Sequence, residues 1–188
     1  RSLRQLVSLD MSQCRLGDQG VHMLSRAPML ATLESLTLEQ VGLGLEGAQA
    51  LATSRHLTGL RRLRLGSNRL EDGGVRALAS SECFEGLVHL SMPFASLGLL
   101  AGRALAETAR LGRLRELELR GNRLGLQGQL QGAAYHSSLL GALGVRALSR
   151  ANGFGHLVRL DLSSNGNGDA GAQELARAQD LARLEVLD

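Results

Sequence analysis

The chain has 188 residues, enough for one domain with a sizeable core, but only 2% of them are aromatic, so leucine and alanine must fill that core. All 21 basic residues are arginine while the formal net charge is only +3, which indicates a GC-rich genome rather than a nucleic-acid-binding surface. Two cysteines are too few for a disulfide framework, and no apolar run is long enough to cross a membrane. Because reduced cysteines are typical of intracellular proteins, we expect a cytoplasmic location.

A unit of 27 residues recurs along the whole chain. It is clearest in residues 57–78, LTGLRRLRLGSNRLEDGGVRAL, where apolar residues spaced by 3, 3 and 2 precede an Asn and a GVRAL run. One interval of 43 residues equals this period plus 16 residues, and we place that insertion at 125–140. The sequence therefore predicts a single repeat domain, residues 1–188. Its seven units start at residues 3, 30, 57, 84, 111, 154 and 181.

Each unit is predicted to contain one strand and one helix. Two leucines two residues apart, as in Leu63 and Leu65, have the period of a strand. After a turn, apolar residues three apart, as in Val75 and Leu78, have the period of a helix. One such unit cannot bury its own apolar edge, but stacked copies can, since each buried leucine contributes about 1.5–3 kcal/mol.

The predicted fold class is therefore α/β. Helices are about 10 Å wide and strands about 4.8 Å apart, so a stack of these units must curve with its strands inside. We expect a right-handed solenoid shaped like a horseshoe, with parallel strands on the concave face and helices on the convex face.

The residues that carry this pattern resemble a known family. LxxLxLxxN followed by LxxxGVRAL, in LRRLRLGSNRLEDGGVRAL and LVRLDLSSNGNGDAGAQEL, resembles the leucine-rich repeats of the ribonuclease-inhibitor and RanGAP type. The composition, rich in Leu, Arg, Ala and Gly, also resembles that of bacterial members of this family. The resemblance implies a leucine-rich-repeat solenoid and a protein partner, but the same scaffold serves unrelated partners.

Several positions depart from that family pattern. The Asn that usually bonds neighbouring loops is replaced by Val41 and Ala95, so repeats two and four are expected to be locally weaker. Asn167 stands where a leucine is expected, and we expect its loop to open toward solvent. Carboxylates that could accept first-turn N–H groups stand at the starts of three helices. These are Asp18, Asp72 and Asp169.

The chain starts inside one repeat and stops within another, and no capping unit with a polar outer face is legible. We therefore expect a segment of a longer protein, or a partner that covers the ends.

No residue pattern indicates catalysis, a cofactor or a metal. The five histidines are scattered without an HExxH pair, the cysteines lack metal-ligand spacing, and there is no phosphate-binding glycine loop. The glycines recur at the repeat period, which indicates turns. The sequence thus predicts a protein that is not an enzyme and binds no cofactor.

Three surfaces are candidates for binding a protein. The first is the concave face, where Glu116 is expected to pair with Arg159. On the same face, Glu118, Asp161 and Asp188 form an acidic column. This column either binds a basic partner or is an ordinary feature of the family's repeat sequence. The residues of this face that we single out are Arg62, Arg64, His89, Glu116, Glu118, Arg159 and Asp161.

The second candidate is Phe94, which either projects from the end of the fourth strand as an interface anchor or folds in to fill space beside Ala95. The third is the uncharged insertion, which is either a harmless duplication or an interaction loop. Its contact residues would be Leu130, Tyr135, Leu139 and Leu140.

These observations favour a non-enzymatic protein-binding scaffold with an unknown partner and no membrane. The first alternative is a regulator of an enzyme in trans, such as a GTPase activator or an enzyme inhibitor. The second is nucleic-acid binding through arginines of the helix face, which the interspersed glutamates and the lack of stacking aromatics disfavour. Those arginines are Arg26, Arg76, Arg103, Arg146 and Arg150.

Overall fold

A computed structural model describes residues 5–122, 137–179 and 181–188. Short strands recur once per repeat and form one parallel sheet, in which neighbours in sequence are neighbours in space. Each strand pairs with the next in the register set by the repeat, so Leu36 faces Leu63 and Leu117 faces Leu160 across the insertion. The strands are β1 (Ser8–Asp10), β2 (Ser35–Thr37), β3 (Arg62–Arg64), β4 (His89–Ser91), β5 (Glu116–Glu118), β6 (Arg159–Asp161) and β7 (Val186–Leu187).

The helices stack on the other side of the sheet, each against the helix of the next repeat. The predicted curved solenoid is confirmed, with strands on its concave side and helices on its convex side. None of the helices in the described part of the chain has the length and apolar character needed to cross a membrane. The helices are α1 (Gly17–Ser25), α2 (Leu45–Ala52), α3 (Glu71–Ala79), α4 (Leu99–Glu107), α5 (Ser137–Ser149) and α6 (Gly168–Ala176).

The core consists of the repeat leucines, as the spacing predicts. The central strand residues Leu36, Leu63 and Leu117 are fully buried between the sheet and the helices. Phe84 and Phe154, which stand where other repeats start with leucine, are buried in the same layer. The leucines lie at the same height in successive repeats, so each contributes its burial free energy to two neighbours.

The turn of repeat 2 is bonded by the side chain of repeat 3. Asn68 is buried, and its Oδ1 accepts the N–H groups of Val41 and Leu43, each at 3.1 Å. Its Nδ2 donates to the carbonyl oxygen of Leu38 at 2.7 Å and to that of Leu65 at 3.0 Å. Repeat 2 therefore has no side-chain amide at position 41, but the side chain of the next repeat bonds its turn.

Repeat 4 is bonded in the same way by repeat 5. Asn122 Oδ1 accepts the N–H of Ala95 at 2.8 Å and that of Leu97 at 3.2 Å, while Nδ2 donates to the carbonyl oxygen of Met92 at 2.8 Å. The turn N–H groups of repeats 2 and 4 are thus bonded by the following repeat although Val41 and Ala95 carry no amide, and the expected local weakness stays a prediction.

The aspartates cap helices across repeats. Asp18 is the second residue of α1, yet its Oδ1 accepts the N–H of Gly44 at 2.6 Å and of Gly47 at 3.0 Å, at the start of α2. Asp72, in α3, accepts likewise from Gly98 at 2.7 Å and from Ala101 at 3.1 Å. The sequence placed each carboxylate just before its own helix, whereas Asp18 and Asp72 are the second residues of α1 and α3 and accept the free N–H groups at the start of the next helix.

A third set of hydrogen bonds between repeats lies at the carboxyl-terminal ends of the helices. The Ser54 hydroxyl donates to the carbonyl oxygen of Ser25 at 2.6 Å, and that of Thr108 donates to Ala79 at 2.6 Å. Ser81 makes the same bond to Ala52. Each of these hydroxyls also accepts a backbone N–H two residues further on. These side chains therefore bond helix-terminal carbonyl groups of the preceding repeat, which would otherwise lack partners.

Asn167 turns inward, so the prediction of a loop open to solvent is wrong. It is half-buried and its Nδ2 donates to the carbonyl oxygen of Leu162 at 2.9 Å. That inward bond gives the Nδ2 group a partner, whereas the buried Oδ1 has none among the described residues. The two cysteines, Cys14 and Cys83, are both free.

Candidate protein-binding face

The first and third residues of each strand point away from the helices, and together with Asp188 they form what we call the sheet face. This orientation follows from the two-residue period of a strand, and every residue of the face except the buried Ser91 is at least partly exposed. All seven candidates from the sequence that lie on strands are on this face. The residues of the sheet face are Ser8, Asp10, Ser35, Thr37, Arg62, Arg64, His89, Ser91, Glu116, Glu118, Arg159, Asp161, Val186 and Asp188.

The predicted opposition of Glu116 and Arg159 is confirmed, but their predicted ion pair is wrong. The two residues are partners in the β5–β6 register. Glu116 Oε2 instead lies 3.1 Å from His89 Nδ1, and Arg159 Nη2 lies 2.8 Å from Asp188 Oδ2. Each charge thus pairs with the strand on its other side, an exposed arrangement worth about 0–1 kcal/mol.

The acidic column is present. Glu118 faces Asp161 in the register, and Asp188 follows β7 next to them. Hydroxyl groups bond two of these carboxylates: Ser91 Oγ donates to Glu118 at 2.7 Å, and Ser163 donates to Asp161 Oδ1 through both its Oγ at 2.6 Å and its N–H at 2.9 Å. Adjacent like charges repel one another, and these hydrogen bonds offset part of that cost.

At the other end of the sheet, Asp10 is bonded in the same way. The hydroxyl and the N–H of Ser12 both donate to its Oδ1, at 2.7 Å and 2.9 Å, and they lower the pKa of Asp10 below its ordinary value. The residue is exposed, so we assign no stabilisation to this shift.

The basic residues of the face lie on β3. Arg62 and Arg64 are exposed, and Arg64 Nε donates to Glu39 Oε1 at 2.8 Å. This hydrogen bond is the largest cause of the raised pKa of Arg64, with smaller contributions from the charges of Glu118 and Asp10. Strand β3 therefore presents positive charge on the same face as the acids of β5 and β6, with β4 between them.

His89 occupies the middle of the face and is mostly shielded. Its side chain is 13% exposed, Nδ1 faces Glu116, and Nε2 is buried with no partner among the described residues. One ligand atom each from His89, Glu116 and Glu118 lie within 4.8 Å of one another. The structure thus brings one imidazole and two carboxylates together.

Phe94 projects from the rim of the sheet face, in the loop after β4. It is 52% exposed, which decides between the two predicted positions in favour of the outward one. Its φ of +52° is a left-handed conformation that costs a bulky residue about 1–2 kcal/mol. The ring lies on Gly121, where a Cβ would come within 2.1 Å of a ring atom. Glycine at 121 is therefore required for this position of the aromatic ring.

The insertion falls largely outside the described residues. Leu130 and Tyr135 lie there, so their roles stay predictions. Helix α5 begins at Ser137, so residues 137–140 of the predicted loop are helical, and Leu139 and Leu140 belong to that helix.

Arginines of the helix face are paired with glutamates in several places. Arg103 Nη2 lies 3.5 Å from Glu107, while Arg146 and Arg150 both approach Glu174, at 3.9 Å and 4.0 Å. A cleft of about 1050 Å³ lies beside α3 and α4, and it mixes such arginines with glutamates. This alternation of charge does not form the basic stripe that a nucleic-acid backbone requires.

Sequence reasoning placed His89, Glu116 and Glu118 on one face but did not bring them together as a cluster. They are separated by 27 and 29 residues, and motif searches look for short spacings such as HExxH. The usable signal was the repeat period itself, since residues one period apart become neighbours across the sheet.

A family model for the leucine-rich repeat matches residues 3–25, 55–79 and 156–176. Among solved structures, the chain is similar to the tropomodulin C-terminal domain of Caenorhabditis elegans, with a TM-score of 0.50 and 13% identity over 96% of this chain and 87% of that one. It also matches an internalin from Listeria monocytogenes, with a TM-score of 0.39 and 15% identity over 99% of this chain and 62% of that one. No curated protein sequence matches it. The repeats that the family model matches, and the architecture shared with the tropomodulin domain, agree that this chain has the leucine-rich-repeat fold.

Proposed function

We propose that this chain is a non-enzymatic protein-recognition module that binds a basic partner with the acidic half of its sheet face. The observation that carries the proposal is the column of Glu118, Asp161 and Asp188, adjacent on successive strands of an accessible sheet. A rigid row of like charge costs stability unless something complements it, and a basic segment of a partner would do so.

Two other observations support this face. Phe94 adds an exposed aromatic side chain at its rim, the kind of residue that dominates interface energies. Arg64 bonds Glu39, outside the column, and Arg159 bonds Asp188, the third residue of the column. Among the described ion pairs, Glu118 and Asp161 therefore keep carboxylates that no arginine bonds. Regulation of an enzyme in trans would use the same binding surface. Because both cysteines are free, the proposal includes a cytoplasmic location.

The experiment is affinity capture from a lysate of the source cells, followed by identification and titration of the captured protein. We expect E118K/D161K to lose the partner while E34K/E46K keeps it. This control makes the same change of charge at exposed acids away from the column. Binding should also weaken as salt is raised. Equal capture by both double variants would overturn the proposal.

A third variant, lacking residues 125–136 but retaining α5, separates this surface from the insertion. Capture should survive the deletion if the sheet face is the binding surface. Loss of the partner from a folded deletion variant would move recognition to the insertion. Turnover of nucleotides, esters or glycans that persists through repurification would contradict the non-enzymatic part of the proposal.

Phe94 provides an independent test of the rim. F94A should weaken binding of the identified partner by about 2 kcal/mol, roughly thirtyfold in Kd, if the ring is an anchor. The matched control is M23A, because Met23 is 71% exposed but lies on α1, away from the sheet face. Equal affinities for F94A and M23A would remove Phe94 from the interface.

A further inference from the structure

His89, Glu116 and Glu118 form a cluster that protein binding does not explain. One ligand atom from each lies within 4.8 Å of the others, and His89 Nδ1 lies 3.1 Å from Glu116 Oε2. Two ligands bound to one tetrahedral metal at about 2.0–2.1 Å would be about 3.3 Å apart. The separation of the imidazole and the carboxylate therefore already approaches that of a shared ion.

The backbone fixes these side chains in place. His89 and Glu116 are directly opposite in the β4–β5 register, and Glu118 is opposite Ser91 on the same pair of strands. Ligands on paired strands need little rearrangement to meet an ion, which is the condition for a preorganised site. Ser91 Oγ, which donates to Glu118 at 2.7 Å, would orient that carboxylate from the second shell of a metal.

No arginine bonds the two carboxylates among the described ion pairs. Arg64 is near enough to sense the charge of Glu118, but its Nε bonds Glu39 at 2.8 Å. Arg159 is opposite Glu116, but it bonds Asp188 at 2.8 Å. The partner of Glu116 is instead the ring of His89, so the cluster retains negative charge that a cation would neutralise.

The ring of His89 has one outward nitrogen. Nε2 is buried without a partner, whereas Nδ1 faces Glu116. A lone pair on Nδ1 and a carboxylate oxygen 3.1 Å away repel each other unless a cation lies between them. That place is filled either by the Nδ1 proton of the ring, which then donates to Glu116, or by a metal ion that displaces this proton.

We propose that His89, Glu116 and Glu118 bind one Zn²⁺ ion on the sheet face. One imidazole nitrogen and two carboxylates are ligands that Zn²⁺ accepts, and the imidazole disfavours Mg²⁺ and Ca²⁺, which prefer oxygen alone. Three protein ligands leave a fourth position for water or for a side chain of a bound protein. The site stands on these residues alone and does not depend on the proposed partner.

The test is calorimetric titration of the metal-free chain with ZnCl₂ in a buffer that does not bind zinc. We expect saturable binding at one site, and at least tenfold weaker binding by H89A and by E118Q, since loss of even a second-shell group weakens metal sites by about 10–100-fold. Controls are H156A and E46Q, which remove a histidine and a carboxylate outside the cluster and should stay within about twofold of wild type.

Absorption of the Co²⁺-substituted chain in the visible range should show a nitrogen- and oxygen-bound ion, and H89A should lose that spectrum. If circular dichroism shows that H89A does not fold, E118Q decides, because it leaves the contact between His89 and Glu116 intact. The proposal is overturned if the wild type shows no saturable binding, if E118Q binds as tightly as wild type, or if equimolar Ca²⁺ displaces the zinc.

Discussion

Repeats 2 and 4 differ from repeats 1 and 3 in how their helices begin. In repeats 1 and 3 the first helical residue is left-handed, Gly17 with φ +60° and Glu71 with φ +54°, and its N–H bonds the backbone of the next repeat. In repeats 2 and 4 a glycine in extended conformation precedes the helix, and side chains of both flanking repeats bond the turn. Repeats 2 and 4 therefore depend on polar groups that their own sequences do not contain.

This difference shows that the stability of a repeat cannot be judged from that repeat alone. In repeat 2, four backbone N–H groups at the turn and helix start donate to side chains of the flanking repeats, two to Asn68 and two to Asp18. In repeat 4, four N–H groups donate in the same way to Asn122 and Asp72. It is this supported repeat that displays Phe94, so the neighbours stabilise the loop that carries the candidate anchor.

The largest effect should come from removing the buried amide. N68A leaves the N–H groups of Val41 and Leu43 and the carbonyl group of Leu38 without partners, and should lower the free energy of unfolding by about 3 kcal/mol or more. N165A should cost less, because Asn165 Oδ1 has no partner among the described residues. Urea denaturation measures both, and equal losses would contradict the account.

The second effect compares two helix glycines. A Cβ at Gly47, in repeat 2, would lie 2.3 Å from Leu43 Cδ1 and 2.6 Å from Asp18 Oδ1, whereas a Cβ at Gly74, in repeat 3, would meet Ala48 Cβ at 3.2 Å. G47A should therefore destabilise by about 1–3 kcal/mol despite the helix preference of alanine, and G74A by less. Thermal unfolding of the two variants provides the measurement. A G47A variant as stable as wild type would mean that Asp18 does not cap α2.

The third effect concerns the cap that Asp18 of repeat 1 provides to helix α2 of repeat 2. D18A removes the acceptor of two first-turn N–H groups of α2 and should cost about 1 kcal/mol. E46A, which removes an exposed acid from the first turn of the same helix, should cost only about 0.3–1 kcal/mol and less in high salt. If chemical denaturation shows E46A to be the more damaging change, the cap does not act across the repeats.

The smallest difference is expected where the two kinds of repeat agree. Ser54 in repeat 2 and Ser81 in repeat 3 make the same hydroxyl bonds to the preceding repeat. S54A and S81A should therefore cost similar amounts, about 1 kcal/mol each. The unfolding midpoints of S54A and S81A should coincide. If they differ by as much as those of N68A and N165A, the two kinds of repeat also differ at the carboxyl-terminal ends of their helices.

The period of the sequence was sufficient to predict the strands, their register and the buried leucines, because each follows from a local apolar pattern repeated at fixed spacing. It did not predict the side-chain bonds between repeats. Asp18 and Gly44 are 26 residues apart, and whether a carboxylate caps its own helix or the next depends on the distance between stacked helices. Only the three-dimensional stack supplies that distance.

The same limit applied to the candidate face. The opposition of Glu116 and Arg159 was predictable from register, but the choice of partner depends on side-chain rotamers, and Arg159 reaches Asp188 instead. Phe94 had two positions open to it, and the space at Gly121 accounts for the outward one. The strand register places His89 next to the two glutamates, and the cluster is recognised once neighbouring residues are checked for metal-binding side chains.

The most direct test of recognition by the sheet face is photocrosslinking in a lysate of the source cells. A photoreactive amino acid would replace Glu118, in the acidic column, or Glu46, an exposed acid on α2. The account predicts one specific protein crosslinked from position 118 and absent from position 46, with the crosslink reduced by the D161K substitution. The same protein crosslinked from position 46 and not from 118 would contradict it.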